Sequence, residues 1–325
     1  MAVLVTGGAG YIGAHVVRLL QERGDRVVVV DDLSTGDAGR IGDAALERID
    51  LAAAEATEAL TRTIREHEVE AVIHIAAKKQ VGESVARPAW YYEQNVGGNA
   101  HLLQAMEATG VRKLMFSSSA ATYGLPDVPP GALIDEDAAP RPIAPYGETK
   151  LVCEWMNRAA GVAWGLRTVN LRYFNVAGAG WDDLGDPGVF NLIPIALQQL
   201  TGGEQPKIFG ADYDTPDGTC IRDYVHVLDL AQAHLAALDY LGADRQAYDV
   251  FNVGTGQGAS VREVLEQIAK SSGLTVEPVV VERRPGDPAQ LVASVDRIEE
   301  VLGWRGKHDL AQIVDSAWSA WRHST

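Results

Sequence analysis

The chain has 325 residues, which is long enough for a large core and for two lobes. Its 28 Lys and Arg residues stand against 44 Asp and Glu residues, and the formal net charge of −16 argues against binding to nucleic acid or to an anionic membrane. The two cysteines, Cys153 and Cys220, belong to no CxxC motif and favour a reducing compartment.

Apolar strands alternate with helical segments through the first half of the chain. The predicted strands are short, apolar and typical of strands buried on both faces: 2–6, 26–32, 71–77, 113–119 and 166–174. Helical spacing predicts helices between them, at 11–24, 54–67, 88–109 and 146–163. The alternation predicts an α/β fold with a Rossmann-type, doubly wound parallel sheet.

The pattern becomes less regular after residue 174. The elements predicted there are helices at 190–203, 260–272 and 308–323, a strand followed by a helix at 222–241, and a strand and turn at 251–256. We therefore expect a Rossmann domain at 1–174 and a smaller C-terminal substrate-binding lobe at 175–325. Residues 222–253 are a candidate to pack back on the first domain.

The stretch TGGAGYIG at 6–13 places Gly7, Gly10 and Gly13 at GxxGxxG spacing. It follows a predicted strand and opens a predicted helix, the setting in which such glycines bind the pyrophosphate of a dinucleotide. Glycine permits the tight turn and the close backbone approach, and the helix N-terminus favours negative charge. The loop therefore predicts a dinucleotide site.

Two carboxylates mark the end of the second predicted strand. Asp31 lies where it can accept hydrogen bonds from the adenine ribose and would repel a 2′-phosphate. Asp32 adds negative charge, and no arginine follows immediately. The sequence therefore favours NAD over NADP.

A tyrosine and a lysine lie four residues apart in the stretch YGETK at 146–150. Residues at i and i+4 share one face of a helix, so Lys150 would stand beside Tyr146. A free tyrosine has a pKa of about 10 and needs nearby positive charge to act as a base. So placed, the phenol could exchange a proton with a substrate hydroxyl while a hydride moves to or from the cofactor.

Several separate segments carry a resemblance that runs almost from end to end: VLVTGGAGYIG, VGES, FSSSAATYG, PYGETK, LRYFNVAGA, DGTCIRDYVHVLDLA and RRPGD. The chain resembles the extended short-chain dehydrogenase/reductase superfamily and, within it, the UDP-glucose 4-epimerase family. The resemblance implies an enzyme that interconverts UDP-galactose and UDP-glucose through a transient 4-keto intermediate, with NAD bound throughout.

The resemblance also implies residue roles. Tyr146 would be the general base, Lys150 would lower the pKa of Tyr146 and bind the nicotinamide ribose, and Ser119 would hydrogen-bond the substrate hydroxyl. The other implied cofactor contacts are Gly7, Gly10, Tyr11, Ile12, Gly13, Asp31, Asp32, Asp50, Leu51, Ala76, Lys79, Asn95 and Phe174. The implied contacts with the UDP part are Asn175, Asn191, Leu192, Arg222, Arg284 and Asp287.

Leu291 is implied to border the hexose. In similar epimerases a tyrosine at this place goes with glucose and galactose specificity, and a small residue goes with acceptance of N-acetylated sugars. Leucine is intermediate in size, so we expect a preference for UDP-glucose and UDP-galactose with weaker turnover of the N-acetylhexosamine pair.

Three alternatives stay open. A nucleotide-sugar 4,6-dehydratase of the same fold would place acidic residues just after the strand-end serine, whereas Ala120 and Ala121 follow Ser119. A non-catalytic NAD-sensing protein would usually lose the Tyr/Lys pair, which this chain keeps. A 4-epimerase acting on UDP-N-acetylhexosamine or UDP-glucuronate is compatible with the sequence.

The remaining expectations concern metals, partners and location. The sequence has no HExxH or comparable ligand cluster, so no metal is proposed. The resemblance suggests a homodimer formed by helices near 95–109 and 147–163. The opening MAVLVTGG has no basic segment or cleavage site, and no apolar run approaches the roughly 20 residues of a membrane helix, so we expect a soluble, cytoplasmic protein.

Overall fold

The structure is a computed structural model that describes residues 1–129, 131–242, 248–284 and 286–324. The chain forms two compact units. Unit 1 contains Met1–Gly124, Pro140–Arg172 and Ala231–Phe251. Unit 2 contains Leu125–Ala139, Tyr173–Leu230 and Asn252–Thr325.

Strands and helices alternate through most of the chain. The strands are β1 (Ala2–Thr6), β2 (Arg26–Asp31), β3 (Ala45–Arg48), β4 (Ala71–His74), β5 (Lys113–Ser119), β6 (Arg167–Tyr173), β7 (Asn175–Ala177), β8 (Lys207–Phe209), β9 (Ile221–His226), β10 (Tyr248–Val253), β11 (Gly258–Ser260), β12 (Val279–Val281) and β13 (Gln290–Leu291). The α-helices are α1 (Tyr11–Glu22), α2 (Ala56–Glu66), α3 (Val81–Ala86), α4 (Pro88–Tyr91), α5 (Gly98–Thr109), α6 (Pro145–Trp164), α7 (Leu192–Thr201), α8 (Val227–Gly242), α9 (Val261–Ser272), α10 (Asp296–Leu302) and α11 (Leu310–Ser324). No helix in the described part of the chain is long and apolar enough to cross a membrane.

Unit 1 is built on a large sheet, in which the described strands take the order β10–β6–β5–β4–β1–β2–β3. The pairings from β3 to β5 are parallel, with Val5 of β1 opposite both Val29 and Ile73. The order reverses between β1 and β4, which is the point at which a doubly wound sheet opens a crevice for a ligand. The predicted α/β fold with a Rossmann-type sheet is confirmed.

The core of unit 1 explains why its strands are apolar runs. Leu4 and Val72 of the sheet pack with Leu60 of α2 and Leu102 of α5, and all four side chains are fully buried. Strands covered by helices on both faces bury both sets of alternating side chains. This packing fixes the carboxyl ends of the strands, where the predicted cofactor residues lie.

Unit 2 contains smaller sheets. Strand β9 pairs with β7, β11 and β13, and β8 pairs with β12. Helices α7, α9 and α11 contribute to its core, in which Ile193, Ile208, Val264 and Ile313 are buried. Through its pairings, β9 gathers residues that are far apart in sequence, such as Arg222 opposite Leu291.

Two predicted elements of unit 1 differ from the structure. The predicted helix at 88–109 is divided into α4, a π-helical turn at Tyr92–Gly97, and α5. The predicted strand at 71–77 ends at His74, because the N–H groups of Ile75 and Ala76 both donate to the carbonyl of Thr6. These bonds turn the chain away from the direction of β4.

Candidate active site

The glycine loop between β1 and α1 packs too closely for side chains. Gly7 has a φ of +70°, the left-handed region that favours glycine, and its N–H donates to the carbonyl of Val30 at 2.8 Å. A Cβ on Gly13 would overlap the carbonyl oxygen of Gly7, and a Cβ on Gly7 would lie 2.7 Å from the backbone nitrogen of Ala76. The loop is therefore held against both the helix and the segment after β4.

This loop fits the pyrophosphate of a dinucleotide. Gly10 is the N-cap of α1 and provides no side-chain acceptor, and the first turn of α1 contains no acidic residue. The N–H groups at a helix N-terminus and the helix dipole favour negative charge. Tyr11 and Ile12, two predicted cofactor contacts, open this helix.

Asp31 ends β2 with a buried carboxylate that also fixes the glycine loop. Its oxygens accept the N–H groups of Ala9 at 3.1 Å and of Leu33 at 2.9 Å. Burial raises the pKa of Asp31, against the lowering effect of these two bonds. A carboxylate has four acceptor sites, so Asp31 retains capacity for ribose hydroxyls.

Asp32 is paired with a lysine that sequence reasoning did not single out. Lys78 Nζ lies 3.3 Å from Asp32 Oδ2 and 2.9 Å from Ser34 Oγ. Burial raises the pKa of Asp32, but the bonds from Ser34 and the charge of Lys78 outweigh it and lower the pKa overall. No local pattern predicts this pair, since the two residues follow different strands.

Ser119 and Tyr146 are brought together from different elements. Ser119 is the last residue of β5, Tyr146 lies in the first turn of α6, and both are buried. Burial raises the pKa of the Tyr146 phenol, and its hydrogen bond with Ser119 lowers it. Ser119 Oγ also accepts the N–H of Ala121 at 3.1 Å, which holds the hydroxyl in place.

Lys150 lies one helical turn after Tyr146 and is 2% exposed. Its ammonium donates to the carbonyl of Ser117 at 2.7 Å and lies 5.0 Å from the centre of the Phe116 ring. Burial lowers the pKa of Lys150 to about 8, so the side chain is mostly protonated at neutral pH. The structure therefore places a positive charge on the helix turn that follows the phenol.

A buried ion pair between Arg172 and Glu154 stabilises the next turn of α6. Arg172 of β6 donates to the carboxylate of Glu154 through Nε at 2.9 Å and Nη2 at 2.6 Å, and Ser118 Oγ donates to it at 2.5 Å. The pair links β5, β6 and α6 beside Lys150. Sequence reasoning missed it, although Arg172, in a strand predicted to be buried on both faces, was an available signal.

The segment after β4 carries further predicted cofactor residues. Ala76 packs on Gly7, and Lys79 is exposed. Asn95, buried in the π-helical turn, holds the backbone of Lys78 on both sides, accepting its N–H at 2.9 Å and donating to its carbonyl at 3.0 Å. Ala76, Lys79 and Asn95 thus gather near the carboxyl ends of β1 and β4.

The last two predicted cofactor residues of unit 1 follow β3. Asp50 Oδ1 accepts the N–H of Ala52 at 2.9 Å, which forms a local turn. The carbonyl of Leu51 lies 2.8 Å from Nδ1 of His101 in α5, and a Cβ on Gly98 would lie 3.1 Å from the Leu51 side chain. These contacts fix the loop after β3 against α5.

In unit 2 the structure brings four predicted substrate residues together. Arg222 Nη2 donates to Asp287 Oδ1 at 3.0 Å, and the Asp287 N–H donates to the carbonyl of Arg284 at 3.3 Å. The Arg284 guanidinium lies 3.9 Å from the centre of the Phe209 ring. Leu291 lies opposite Arg222 in the β13–β9 pairing. The predicted role of Arg222 and Arg284 is to supply the local cations that an acidic protein would need for a diphosphate.

The other predicted contacts in unit 2 lie elsewhere on its elements. Phe174 is buried, and its N–H donates to the carbonyl of Val253 at 3.0 Å. Asn175 is exposed on β7, where it lies opposite Tyr224 of β9. Asn191 is the N-cap of α7 and makes no side-chain cap bond, and Leu192 begins that helix and packs on the core of unit 2.

The site combines the glycine loop after β1 with a buried serine on β5 and a buried tyrosine and lysine on α6. This is the arrangement of a dinucleotide-dependent enzyme that moves a hydride and a proton. Among the residues the structure describes, no group of three or more His, Cys, Asp or Glu side chains is placed to hold a metal ion.

Known proteins resemble the chain over nearly its whole length. Residues 3–254 match the model of the NAD dependent epimerase/dehydratase family. A UDP-glucose 4-epimerase of Azospirillum brasilense is 50% identical over 99% of this chain and 92% of its own length. A crystal structure of UDP-glucose 4-epimerase from Brucella ovis in complex with NAD gives a TM-score of 0.92 at 42% identity, with 97% of each chain covered.

A further structure, that of UDP-glucose 4-epimerase from Bifidobacterium longum in complex with NAD+ and UDP, gives a TM-score of 0.90 at 34% identity. It covers 99% of this chain and 98% of its own. The chain belongs to the NAD dependent epimerase/dehydratase family. Its cofactor is therefore NAD, as the glycine loop and Asp31 predict.

Proposed function

We propose that the chain is a UDP-glucose 4-epimerase, which interconverts UDP-galactose and UDP-glucose. The observation that carries the proposal is the buried set of Ser119, Tyr146 and Lys150 in the unit that also holds the glycine loop. Such a set can transfer a proton at a sugar hydroxyl while a hydride moves. The similar proteins from three bacteria are all named UDP-glucose 4-epimerase, which supports this choice of substrate.

NAD, held by the glycine loop and Asp31, would supply the acceptor and then the donor of the C4 hydride, so that the reaction would end with no net oxidation. Tyr146 takes the proton of the 4-hydroxyl as C4 is oxidised to the ketone, and it gives a proton back when the 4-keto sugar is reduced. Ser119 hydrogen-bonds the same hydroxyl. Lys150 contributes the positive charge that favours the phenolate of Tyr146 and binds the nicotinamide ribose.

The two units have different roles in this proposal. Unit 1 binds NAD through the glycine loop, Asp31, Asp32, Asp50, Leu51, Ala76, Lys79 and Asn95. Unit 2 holds the UDP part through Asn175, Asn191, Leu192, Arg222, Arg284 and Asp287. Anchoring the nucleotide away from C4 leaves the hexose free to turn over, so binding energy is used at a distance from the reacting centre.

The preferred sugars follow from Leu291, which we propose borders the hexose. Leucine leaves less room than serine, and an acetamido group forced into a filled pocket typically costs about 1–3 kcal/mol. UDP-glucose and UDP-galactose are therefore the preferred pair, with weaker turnover of the N-acetylated pair. A 4,6-dehydratase is disfavoured, because Ala120, Ala121 and Thr122 form the turn after Ser119 and supply no acidic group there.

A cytoplasmic homodimer is part of the same proposal. Trp155 and Val162 of α6 are 52% and 88% exposed, and their spacing of seven residues puts them on one face of the helix. A contiguous patch of exposed apolar side chains is typical of an interface between proteins, and we propose that this face of α6 contributes to one. The mass of the protein in solution, measured by light scattering, tests this part separately.

The test of the proposed function is incubation of the purified protein with UDP-galactose without added dinucleotide, followed by identification of the product. UDP-glucose is the expected product, and the protein should release NAD when it is denatured. A 4-keto-6-deoxy sugar would instead indicate a dehydratase. No conversion, or a protein that carries only NADP, would refute the proposal.

A further inference from the structure

Thr149 lies in the stretch YGETK, between the two residues proposed for proton transfer, and is fully buried. Its hydroxyl donates to the backbone carbonyl of Tyr146 at 2.8 Å. The same oxygen accepts a hydrogen bond from the side-chain amide of Asn95 at 3.0 Å. Thr149 thus uses both its donor and its acceptor on the first turn of α6.

Asn95 extends this chain of bonds to the segment after β4. Its side chain accepts the N–H of Lys78 and donates to the carbonyl of the same residue. Asn95 lies in the π-helical turn Tyr92–Gly97, a rare form that is frequent at functional sites. The backbone beside Ala76 and Lys79 is thereby connected to the backbone of Tyr146 through two side chains.

Two more contacts attach the π-helical turn to α6. The hydroxyl of Tyr92 donates to Glu148 Oε2 at 2.8 Å. The thiol of Cys153 lies 3.6 Å from the carbonyl of Asn95, to which it donates. Glu148 and Thr149 both stand between Tyr146 and Lys150, so the turn is attached to the part of α6 that carries the proposed catalytic groups.

We propose that Thr149 is a positioning residue for Tyr146. The inference rests on the proposed function, because it concerns the tyrosine proposed as the base. Thr149 fixes the first turn of α6 to Asn95, and Asn95 fixes that point to the segment proposed to contact the cofactor. The phenol is thereby held at a constant position relative to that segment. Small displacements of reacting groups lower rates strongly, so the effect of losing this hydroxyl falls on turnover.

Three variants and one control test the role in the NAD-containing protein. Thr149→Val keeps the shape and removes the hydroxyl, and it should lower kcat for UDP-galactose by about 10- to 100-fold while KM and NAD content stay unchanged. Thr149→Ser keeps the hydroxyl and should restore most of the turnover. Thr61→Val is the matched control, since the Thr61 hydroxyl makes a similar bond within α2, to the carbonyl of Thr57 at 2.7 Å. It should keep the wild-type kcat.

Thr149→Ala provides a second hydroxyl-free variant if Thr149→Val folds poorly, as judged by its melting temperature. Wild-type kcat in either hydroxyl-free variant, or an equal loss in Thr149→Ser, would overturn the role. A fall in NAD content that matches the fall in kcat would also overturn it, because Thr149 would then serve binding. Failure of the wild-type protein to convert UDP-galactose would refute the proposed function itself, before any variant is compared.

Discussion

The backbone of Gly147 packs directly on the carbonyl group of Ala121. A Cβ on Gly147 would overlap the Ala121 oxygen and would lie 3.0 Å from the Ala121 carbon. Gly147 follows Tyr146, and Ala121 makes a bond to the hydroxyl of Ser119. This close approach of two backbones therefore sets the distance between α6 and the end of β5, where the hydroxyl groups of Tyr146 and Ser119 meet.

Gly147→Ala should displace the first turn of α6 and lower kcat by about 10²-fold, since a misplacement of about 1 Å can cost that much. Overpacking should also lower the free energy of unfolding by about 1–3 kcal/mol. Gly97→Ala is the control, because a Cβ there would meet no heavy atom within 4 Å in the described structure. Steady-state kinetics and denaturant unfolding measure the two effects. Wild-type turnover in Gly147→Ala would show that the Ala121 contact does not place Tyr146.

Ser119→Ala should shift the pH dependence of turnover. The bond from Ser119 lowers the pKa of Tyr146, so its removal raises that pKa further. A base with a raised pKa is protonated up to a higher pH, and the acidic limb of the kcat profile should move to higher pH. The activity that Ser119→Ala loses at neutral pH should thus return in part in alkaline buffer, whereas the activity of Tyr146→Phe should not. A profile that only drops in height, without a shift, would contradict this role for Ser119.

The glycine loop, Asp31 and the Tyr146/Lys150 pair could be predicted because each is a local pattern. The apolar strands of unit 1 could also be predicted from the sequence, since a strand buried on both faces is a continuous apolar run. Strands of two or three residues, such as β13, carry too little pattern, and their existence depends on partners far away in the chain. β3 was missed because the segment ALER at 45–48 is only partly buried and mixes apolar with charged residues.

Contacts between residues that are far apart in the sequence could not be predicted from the sequence. Lys78 meets Asp32 because parallel strands bring their carboxyl ends to one edge of the sheet, and Glu154 of α6 meets Arg172 of β6 because the fold brings this helix beside that strand. The π-helical turn was also missed, because the apolar spacing at 88–109 fits a continuous helix. Asn95 itself was predicted as a cofactor contact through the resemblance, and its bonds to Lys78 and Thr149 are added by the structure.

The buried ion pair predicts a stability effect. Arg172→Met should lower the free energy of unfolding by about 3–5 kcal/mol, because Glu154 is left as a buried charge without its partner. The double variant Arg172→Met/Glu154→Leu should recover much of this loss, since apolar replacement of a whole buried pair is often neutral. Arg305→Met, which breaks an exposed pair with Glu299 at 3.5 Å, should cost less than about 1 kcal/mol. Denaturant midpoints measure all three, and a double variant less stable than Arg172→Met would contradict the argument.

Leu291 predicts how the choice of sugar can be changed. Leu291→Ser should raise kcat/KM for the UDP-N-acetylhexosamine pair relative to the UDP-glucose pair, because it opens space beside the hexose. Leu291→Tyr should abolish the N-acetylated activity by filling that space. An overpacking cost of about 1–3 kcal/mol corresponds to a change of roughly 5- to 150-fold in the ratio of the kcat/KM values for the two pairs. If neither substitution moves the ratio, Leu291 does not border the hexose.

The central claim is that Tyr146 transfers the proton at the sugar 4-hydroxyl, and the turnover of Tyr146→Phe tests it most directly. This variant keeps the ring and the fold and removes only the phenolic hydroxyl. Its kcat with UDP-galactose should fall by about 10²–10⁴-fold, the usual contribution of a general acid–base group, while UDP binding and NAD content stay at wild-type levels. A correctly folded, NAD-containing Tyr146→Phe protein with near wild-type kcat would contradict the claim and would make the YGETK stretch an ordinary part of the helix.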